Sequence, residues 1–441
     1  MERVKKFVQL IENQKKSDVA FKFLVNEEIK TLTFGEFLNN INSFEIPKEN
    51  VIGLFLSNDL EVITALFALA GKKQIVILDP YEKEESLIKK IKNTKVNKLI
   101  GNKEFEDLFK DELEKENNID SKDILFFTSG TTSESKAVIL TEESLCSATY
   151  NGGSLLPLTK RDNLLSVLPL SHVFGLVCSL LWPLSFGASV SLGNGIRQIF
   201  TDFNLYHPTV TTLVPEMAKF LSLNKLFNKE LSLILIGAGS CDDITLKTIK
   251  EMGIRLSYGY GLTETSSGIA LSLGDNPREM TICPDYKVRI AEDNEIIVSS
   301  NYTLMKGYYN DEEATKKTLV GNELHTGDLG KIINNKLFIT GRKKEILVFG
   351  DGSKLYLPEY EAKLMEYLGN KSDFAILQNN KGQVVLYIHS PEEVNEKVDE
   401  FNKTQSRSHK IEKIIYSNDK LPRTETGKIK RYLINLGENN D

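Results

Sequence analysis

Cysteine is scarce and scattered. Cys146, Cys178, Cys241 and Cys283 form no C-x-x-C pair, which argues against a zinc site and a disulfide framework and fits a reducing cytoplasm. Basic charge is not in excess either. A net charge of −6 and a pI near 5.7 leave no basic stripe of the kind that binding a phosphate backbone requires, so no nucleic-acid partner is expected. The lysines that do cluster, Lys89, Lys90 and Lys92, read as one wet face of a helix. Residues 1–16 contain no apolar core long enough for a signal peptide and read instead as the first turns of an amphipathic helix. Leu164–Gly195 lacks Asp, Glu, Lys and Arg, but Pro169, His172, Pro183 and several glycines interrupt it. Two buried segments joined by a turn are expected there, with no transmembrane segment. Internal repeats and low-complexity tracts are missing, as is the nucleotide motif G-x-x-x-x-G-K-[ST]: after Gly130, Ser135 stands where the second Gly belongs and Ala137 where Ser or Thr belongs.

What is present is enough apolar material for large cores, 41% of 441 residues, in a chain too long for one of them, so at least two domains are expected. Thr33-Phe34-Gly35-Glu36 has the form of a capping box opening a helix through Ile41. Val51–Leu56 reads as a buried strand, Leu60–Ala70 as a helix closed by Gly71, and Gln74–Leu78 as a second strand, which together make a βαβ unit. A similar alternation follows through Leu87–Ile100. The expected class is α/β, a large N-terminal domain with helix-covered, mostly parallel sheets and a small α+β C-terminal lid domain. The boundary candidate is Thr340–Glu345, where the strand Lys336–Thr340 gives way to charged residues and then to Ile346–Phe349. This divides the chain into 1–341 and 345–441 with a junction near 342–345.

The most informative segment is Leu125–Val138, LFFTSGTTSESKAV. Two β-prone runs flank small hydroxylated residues, one Gly and Lys136, so backbone N–H groups, hydroxyls and an ammonium are offered to a polyanion. The ligand this suits is a nucleotide phosphate tail. Alone, the loop leaves a solvated Ser/Thr-rich turn as the lesser alternative. It is followed, however, by Tyr260-Gly261-Leu262-Thr263-Glu264, Thr326-Gly327-Asp328, Gly341-Arg342-Lys343-Lys344 and Leu421-Pro422-Arg423-Thr424-Glu425-Thr426-Gly427-Lys428.

In this order and at these separations the five motifs resemble the adenylate-forming superfamily of acyl-CoA synthetases, peptide-synthetase adenylation domains and luciferases, over nearly the whole chain from about Thr33 to Arg431. The resemblance implies a carboxylate that attacks the α-phosphate of ATP, displacing pyrophosphate, and an acyl group then passed to a thiol. Both partners of the first step are anionic, so fixed N–H dipoles and cations must do most of the work. Carried over residue by residue, Thr128, Ser129, Gly130, Thr131, Thr132 and Lys136 suit the β- and γ-phosphates, Tyr260 beside Gly261 the adenine ring, and Thr263 the α-phosphate. Glu264 suits Mg²⁺, Asp328 and Arg342 the ribose hydroxyls, and Gly239 with Ser240 the adenine edge. Ser133, Ser135 and Ala137 depart from the family's Gly, Pro and Gly.

His172 would stand beside the reacting carboxylate, although a His on an apolar segment is more often a core residue. Val173 replaces the Asp with which amino-acid-activating relatives pair the substrate ammonium, which disfavours amino acids. Lys428 would be the catalytic lysine delivered by the small domain, and Lys344 the hinge. The segment from Gly341 to Glu361 is most similar to fatty acyl-CoA ligases. The implied activity is therefore a cytoplasmic ATP- and Mg²⁺-dependent ligase that joins a fatty or similar hydrophobic carboxylic acid to coenzyme A. The phosphopantetheine arm of an acyl carrier protein is the alternative acceptor. A nucleotide-binding regulatory protein of the same fold is the non-enzyme alternative, against which the intact Lys136, Glu264, Asp328, Arg342 and Lys428 speak.

Overall fold

The computed structural model describes residues 4–101, 103–115, 119–128, 135–195, 198–239, 241–274, 276–351, 353–369, 372–423 and 429–436. The Thr33 capping box forms as expected: the Glu36 N–H donates to Thr33 Oγ1 at 3.2 Å, the Thr33 N–H donates to Glu36 Oε2 at 2.8 Å, and the helix Phe34–Ser43 begins there. Strands Val51–Phe55 and Gln74–Leu78 pair in parallel, with the helix Leu60–Leu69 as their crossover. Every residue of both strands is buried, which is why they read as continuous apolar runs rather than alternating ones. Lys98–Ile100 and Ile124–Phe127 extend this sheet in parallel. Ala137–Leu140 then folds back antiparallel on Ile124–Phe127, and the short strand Gly307–Tyr308, from far downstream, adds to its outer edge.

The largest sheet among the described residues changes character along its width. Strands Ser189–Leu192, Asn163–Ser166, Val210–Leu213, Leu233–Ile236 and Arg255–Leu262 pair in parallel. Beyond Arg255–Leu262 the pairing is antiparallel through Ser267–Ser272, Met280–Ile282, Lys336–Arg342, Glu323–Ile333 and Glu295–Ser299. Where the strands are consecutive in the chain, as in Arg255–Leu262 with Ser267–Ser272, Ser267–Ser272 with Met280–Ile282, and Glu323–Ile333 with Lys336–Arg342, the change follows the connections, since a parallel return needs a crossover of a dozen residues or more and these links are short. Glu323–Ile333 and Lys336–Arg342, for example, are joined by Asn334 and Asn335 at φ +49° and +60°, the left-handed pair that a tight hairpin demands. Parallel sheet, expected for the first part, does not continue into this second half.

Two further expectations are corrected. Leu164–Gly195 is not two segments and a turn. The strand Asn163–Ser166 leads through short helical stretches to Trp182–Ser185, and Gly187 at φ +72° turns the chain into the strand Ser189–Leu192. No described helix is long and apolar enough to cross a membrane. Lys90, read as part of a wet helical face, is only 13% exposed. It pairs with Glu82 at 2.5 Å and sits 4.3 Å from the Phe127 ring centroid, at the end of the strand that enters the Ser/Thr-rich loop.

The C-terminal part has a core of its own. Phe349, Leu355, Tyr360, Leu364, Ile376, Leu386 and Phe401 pack together, apart from the clusters that fill the larger part. The helix Leu357–Leu368 starts with Pro358 in its first turn, where the missing N–H costs nothing. It covers the three-stranded sheet Asp373–Gln378, Val384–His389 and Ile411–Tyr416. The α/β class, with a large N-terminal domain and a small C-terminal one, is the one expected.

Candidate active site

The hairpin Ile124–Phe127 and Ala137–Leu140 closes the base of the Ser/Thr-rich loop. The Thr128 N–H donates to the Lys136 carbonyl at 3.0 Å, and Ser135 Oγ donates to the Thr128 carbonyl at 2.6 Å. Within the loop, Ser129, Gly130, Thr131 and Thr132 lie outside the described residues, as do Ser240 and Lys428. Lys136 Nζ stands 4.8 Å from the Tyr308 ring centroid and 3.7 Å from Asp311 Oδ2. Tyr308 is brought there by backbone pairing opposite Val138. Its hydroxyl donates to Glu264 Oε1 at 2.8 Å. Burial, and then the Glu264 charge, push that hydroxyl up from its ordinary value, so it stays a donor. One tyrosine therefore touches both the lysine of the loop and the carboxylate picked out for Mg²⁺. Sequence reading missed Tyr308 because a two-residue strand has no periodicity to mark it, and its partners are remote in the chain.

Glu264 and Thr263 lie in the one-turn helix Thr263–Thr265, directly after the strand Arg255–Leu262. The Glu264 carbonyl accepts the Met305 N–H at 2.8 Å, which ties this turn to the segment that carries Tyr308. Gly261, at the strand's end, has no room for a side chain. A Cβ there would lie 2.0 Å from the Ser267 carbonyl oxygen. Gly261→Ala should therefore cost about 2–4 kcal/mol of stability, read as a lowered denaturant midpoint. An unchanged midpoint would mean that the two strands can spread.

The second cluster centres on Asp328, buried at 4% exposure. Its carboxylate accepts from the Tyr260 hydroxyl at 2.9 Å, and from Arg342 Nε at 2.5 Å and Nη2 at 3.3 Å. Asp328 and Arg342 are cross-strand partners. Burial opposes the Arg342 charge, but the Asp328 carboxylate outweighs it and raises the guanidinium above its ordinary value. Burial and then Asp328 hold the Tyr260 phenol well above its own, so the phenol stays neutral beside the Arg342 cation. Asp328 Oδ1 accepts from Arg342 Nε, and Oδ2 from Tyr260 and Arg342 Nη2, and both classes of group that vicinal hydroxyls need, acceptor and donor, are present together.

The glycine turn after the strand Leu233–Ile236 completes this side. Tyr258 donates its hydroxyl to the Gly239 carbonyl, and a Cβ at Gly237 would meet the Phe174 ring at 2.9 Å. His172 stands at the N-cap position of the short helix Val173–Gly175, with Nε2 4.0 Å from Asp79 Oδ2, an oxygen that accepts from Ser171 Oγ at 2.7 Å. Burial lowers the imidazole below its ordinary value, with Asp79 opposing, so the ring is neutral at pH 7. Its side chain keeps 36% exposure, whereas Val173 is buried at 4%. Lys344 is exposed within the one-turn helix Lys343–Glu345, next to Arg342.

Among the described residues, no group of three or more His, Cys, Asp and Glu side chains could hold a metal ion. A single carboxylate such as Glu264 still suits Mg²⁺, because that ion keeps several waters and draws its remaining oxygens from substrate phosphates.

The sequence matches the AMP-binding enzyme family over residues 71–309. It is similar to the 2-succinylbenzoate–CoA ligase of Bacillus cytotoxicus, 26% identical over 441 residues, with 89% of each chain covered. It is also similar to the oxalate–CoA ligase of Arabidopsis thaliana, 29% identical over 356 residues, covering 72% of this chain and 68% of that one. Among solved structures, the O-succinylbenzoate coenzyme A synthetase of Bacillus subtilis in complex with ATP and magnesium ion superposes with a TM-score of 0.82 at 20% identity, covering 97% of this chain and 98% of that one. With the family match spanning more than half of its length, the chain belongs to the AMP-binding enzyme family.

Proposed function

We propose that this chain is an AMP-forming acid–thiol ligase that adenylates a hydrophobic carboxylic acid and passes the acyl group to coenzyme A. The observation that carries the reading is the convergence of Lys136 and Glu264 on Tyr308, with Glu264 four residues along the chain from Tyr260, which bonds to Asp328 of the Asp328–Arg342 pair. One cluster thus gathers cationic and metal-suited groups, and the other gathers ribose-suited groups. Lys136 and the hydroxyl-rich loop bind the phosphates, Asp328 and Arg342 orient the ribose, and the neutral His172 donates to the acid's carboxylate. Bound Mg²⁺ would offset phosphate charge, with Glu264 holding it. The related Bacillus subtilis synthetase was solved with ATP and magnesium, and the named relatives are CoA ligases, which favours coenzyme A over a carrier protein. Residues 1–341 form the body and 345–441 a mobile lid that turns about Lys344.

For the acid, a compact aryl group is the better reading than a long acyl chain. The relatives' names include 2-succinylbenzoate and oxalate, neither of them a fatty acid, and the Phe174 ring already lies against Gly237. The fatty-acid expectation rests on the resemblance of segment 341–361 and on the apolar Val173, which suits an aryl acid as well. The test is a panel of aryl acids, medium and long fatty acids and α-amino acids, scored by ATP-dependent pyrophosphate release and by CoA thioester formed. Aryl acids should lead, and α-amino acids should fail for want of a counter-charge at Val173. Preference for a long fatty acid would overturn the aryl reading, and release without any thioester would overturn the ligase reading.

A further inference from the structure

Glu295 opens the strand Glu295–Ser299, and its carboxylate is turned inward, 7% exposed. Oε1 accepts the Gly327 N–H at 2.8 Å. Oε2 accepts from Lys343 Nζ at 2.7 Å and faces His325 Nδ1 at 3.0 Å. Asp293, two residues earlier, presents a second carboxylate to Lys343 Nζ at 2.6 Å and accepts the Glu295 N–H at 3.2 Å. A carboxylate this buried is costly unless its oxygens are satisfied. Here the partners are not arbitrary: Gly327 immediately precedes Asp328, and Lys343 stands between Arg342 and Lys344.

The geometry gives each bond a consequence. Gly327 sits at φ +70° within an otherwise extended strand, so the turn that aims the Asp328 carboxylate depends on where the Gly327 N–H is held. Lys343 is gripped by two carboxylates of the large domain, so a rotation of the small domain can begin only at Lys344, after the anchored residue. Both anchors meet on one side chain.

We propose that Glu295 is a positioning residue which, through one buried carboxylate, holds both the turn that presents Asp328 to the nucleotide and the fixed end of the hinge, with Asp293 completing the grip on Lys343. This rests on the adenylate-forming reading given above and adds to it a coupling between ribose binding and the lid's pivot. Removing the charge at 295 disturbs both limbs. Removing it at 343 disturbs the hinge limb alone, because Gly327 keeps its acceptor.

Full-length wild type, Glu295→Gln and Lys343→Met are compared by calorimetric titration with AMP, which needs no knowledge of the acid. Adenylation, and thioester formation from supplied acyl-AMP, are then measured separately with the best acid of the panel. Glu295→Gln should weaken AMP binding about tenfold. Lys343→Met should leave AMP affinity within about twofold yet slow the thioester step about tenfold more than adenylation, and Lys343→Arg should restore the ratio. A merely structural role would lower stability and slow both half-reactions together, with AMP affinity of the folded protein unmoved. Should Glu295→Gln fail to fold, the half-reaction ratio of Lys343→Met decides. Wild-type AMP binding with a folded Glu295→Gln of equal affinity, or a Lys343→Met that slows both steps equally, overturns the proposal alone. A wild type that binds neither AMP nor ATP overturns the adenylate-forming reading and the proposal with it.

Discussion

Lys428→Ala should lower acyl-adenylate formation by about 10²–10³-fold while leaving thioester formation from supplied acyl-AMP within a few-fold of wild type. Lys428 lies outside the described residues, but the chain on either side of it is anchored. Arg423 and Ile429 form a β-bridge, the Lys430 N–H donates to the Pro422 carbonyl at 2.8 Å, and Arg431 pairs with the half-buried Glu361 at 2.5 Å. Arg423 in turn pairs with Asp373. These contacts hold both ends of segment 424–428 to the small domain, so whatever moves that domain moves Lys428. On the proposed reading, an ammonium brought to the carboxylate and the α-phosphate stabilises the charge of the first transition state, whereas in the adenylate the carboxylate's charge is already gone. A proline at Lys344 should do roughly the reverse, because fixing φ at the pivot hinders the second pose more than the first. Rapid-quench assays of the two steps, on variants shown folded by circular dichroism, decide the matter. Equal slowing of both steps by Lys428→Ala would sink the two-pose account.

Glu264→Gln is expected to slow adenylation by about 10²–10³-fold at limiting Mg²⁺, with partial recovery as Mg²⁺ is raised. The reason lies in what the carboxylate does besides meeting an ion. Its Oε1 accepts from the Tyr308 hydroxyl at 2.8 Å, which orients the group that would hold Mg²⁺ in the function proposed above. Tyr308→Phe removes that hydrogen bond but not the charge, so it should cost only about tenfold and raise the Mg²⁺ concentration needed for half-maximal rate. The Lys136 ammonium would keep the ring face beneath it. Kinetics of the Gln variant that do not depend on Mg²⁺ differently from wild type would remove Glu264 from the site.

How much of this could be read in the chain depended on the range of each interaction. The Thr33 capping box spans four residues and was legible because its donors and acceptors are neighbours in sequence. The fully buried strands Val51–Phe55 and Gln74–Leu78 were legible because burial on both faces leaves an unbroken apolar run. The phosphate loop, Tyr260, Glu264, Asp328 and Arg342 stood out as short motifs whose residue types suit one chemistry. Lys90 misled because a charge on a helix carries no mark of the partner that buries it: Glu82 is eight residues away, and the Phe127 ring comes from another strand. The antiparallel half of the large sheet was missed because pairing direction is set by the length of connections, and the turns there, such as Asn334-Asn335, are short and polar like any other loop.

The sequence by itself determined which groups are available for the chemistry proposed here: a hydroxyl-rich loop with Lys136, a Tyr-Gly-Leu-Thr-Glu turn, Asp328 and Arg342, and an apolar Val173. It also determined the local elements, since capping, burial periodicity and turn chemistry act over a few residues. Only the tertiary structure decided which of those groups share a neighbour. Tyr308 reaches both Lys136 and Glu264 through an edge pairing with the strand Ala137–Leu140. Glu295 reaches both Gly327 and Lys343 through two hairpins folded onto one sheet. Such contacts come from strand register between segments far apart in the chain, and a one-residue slip in that register would turn every one of these side chains to the opposite face.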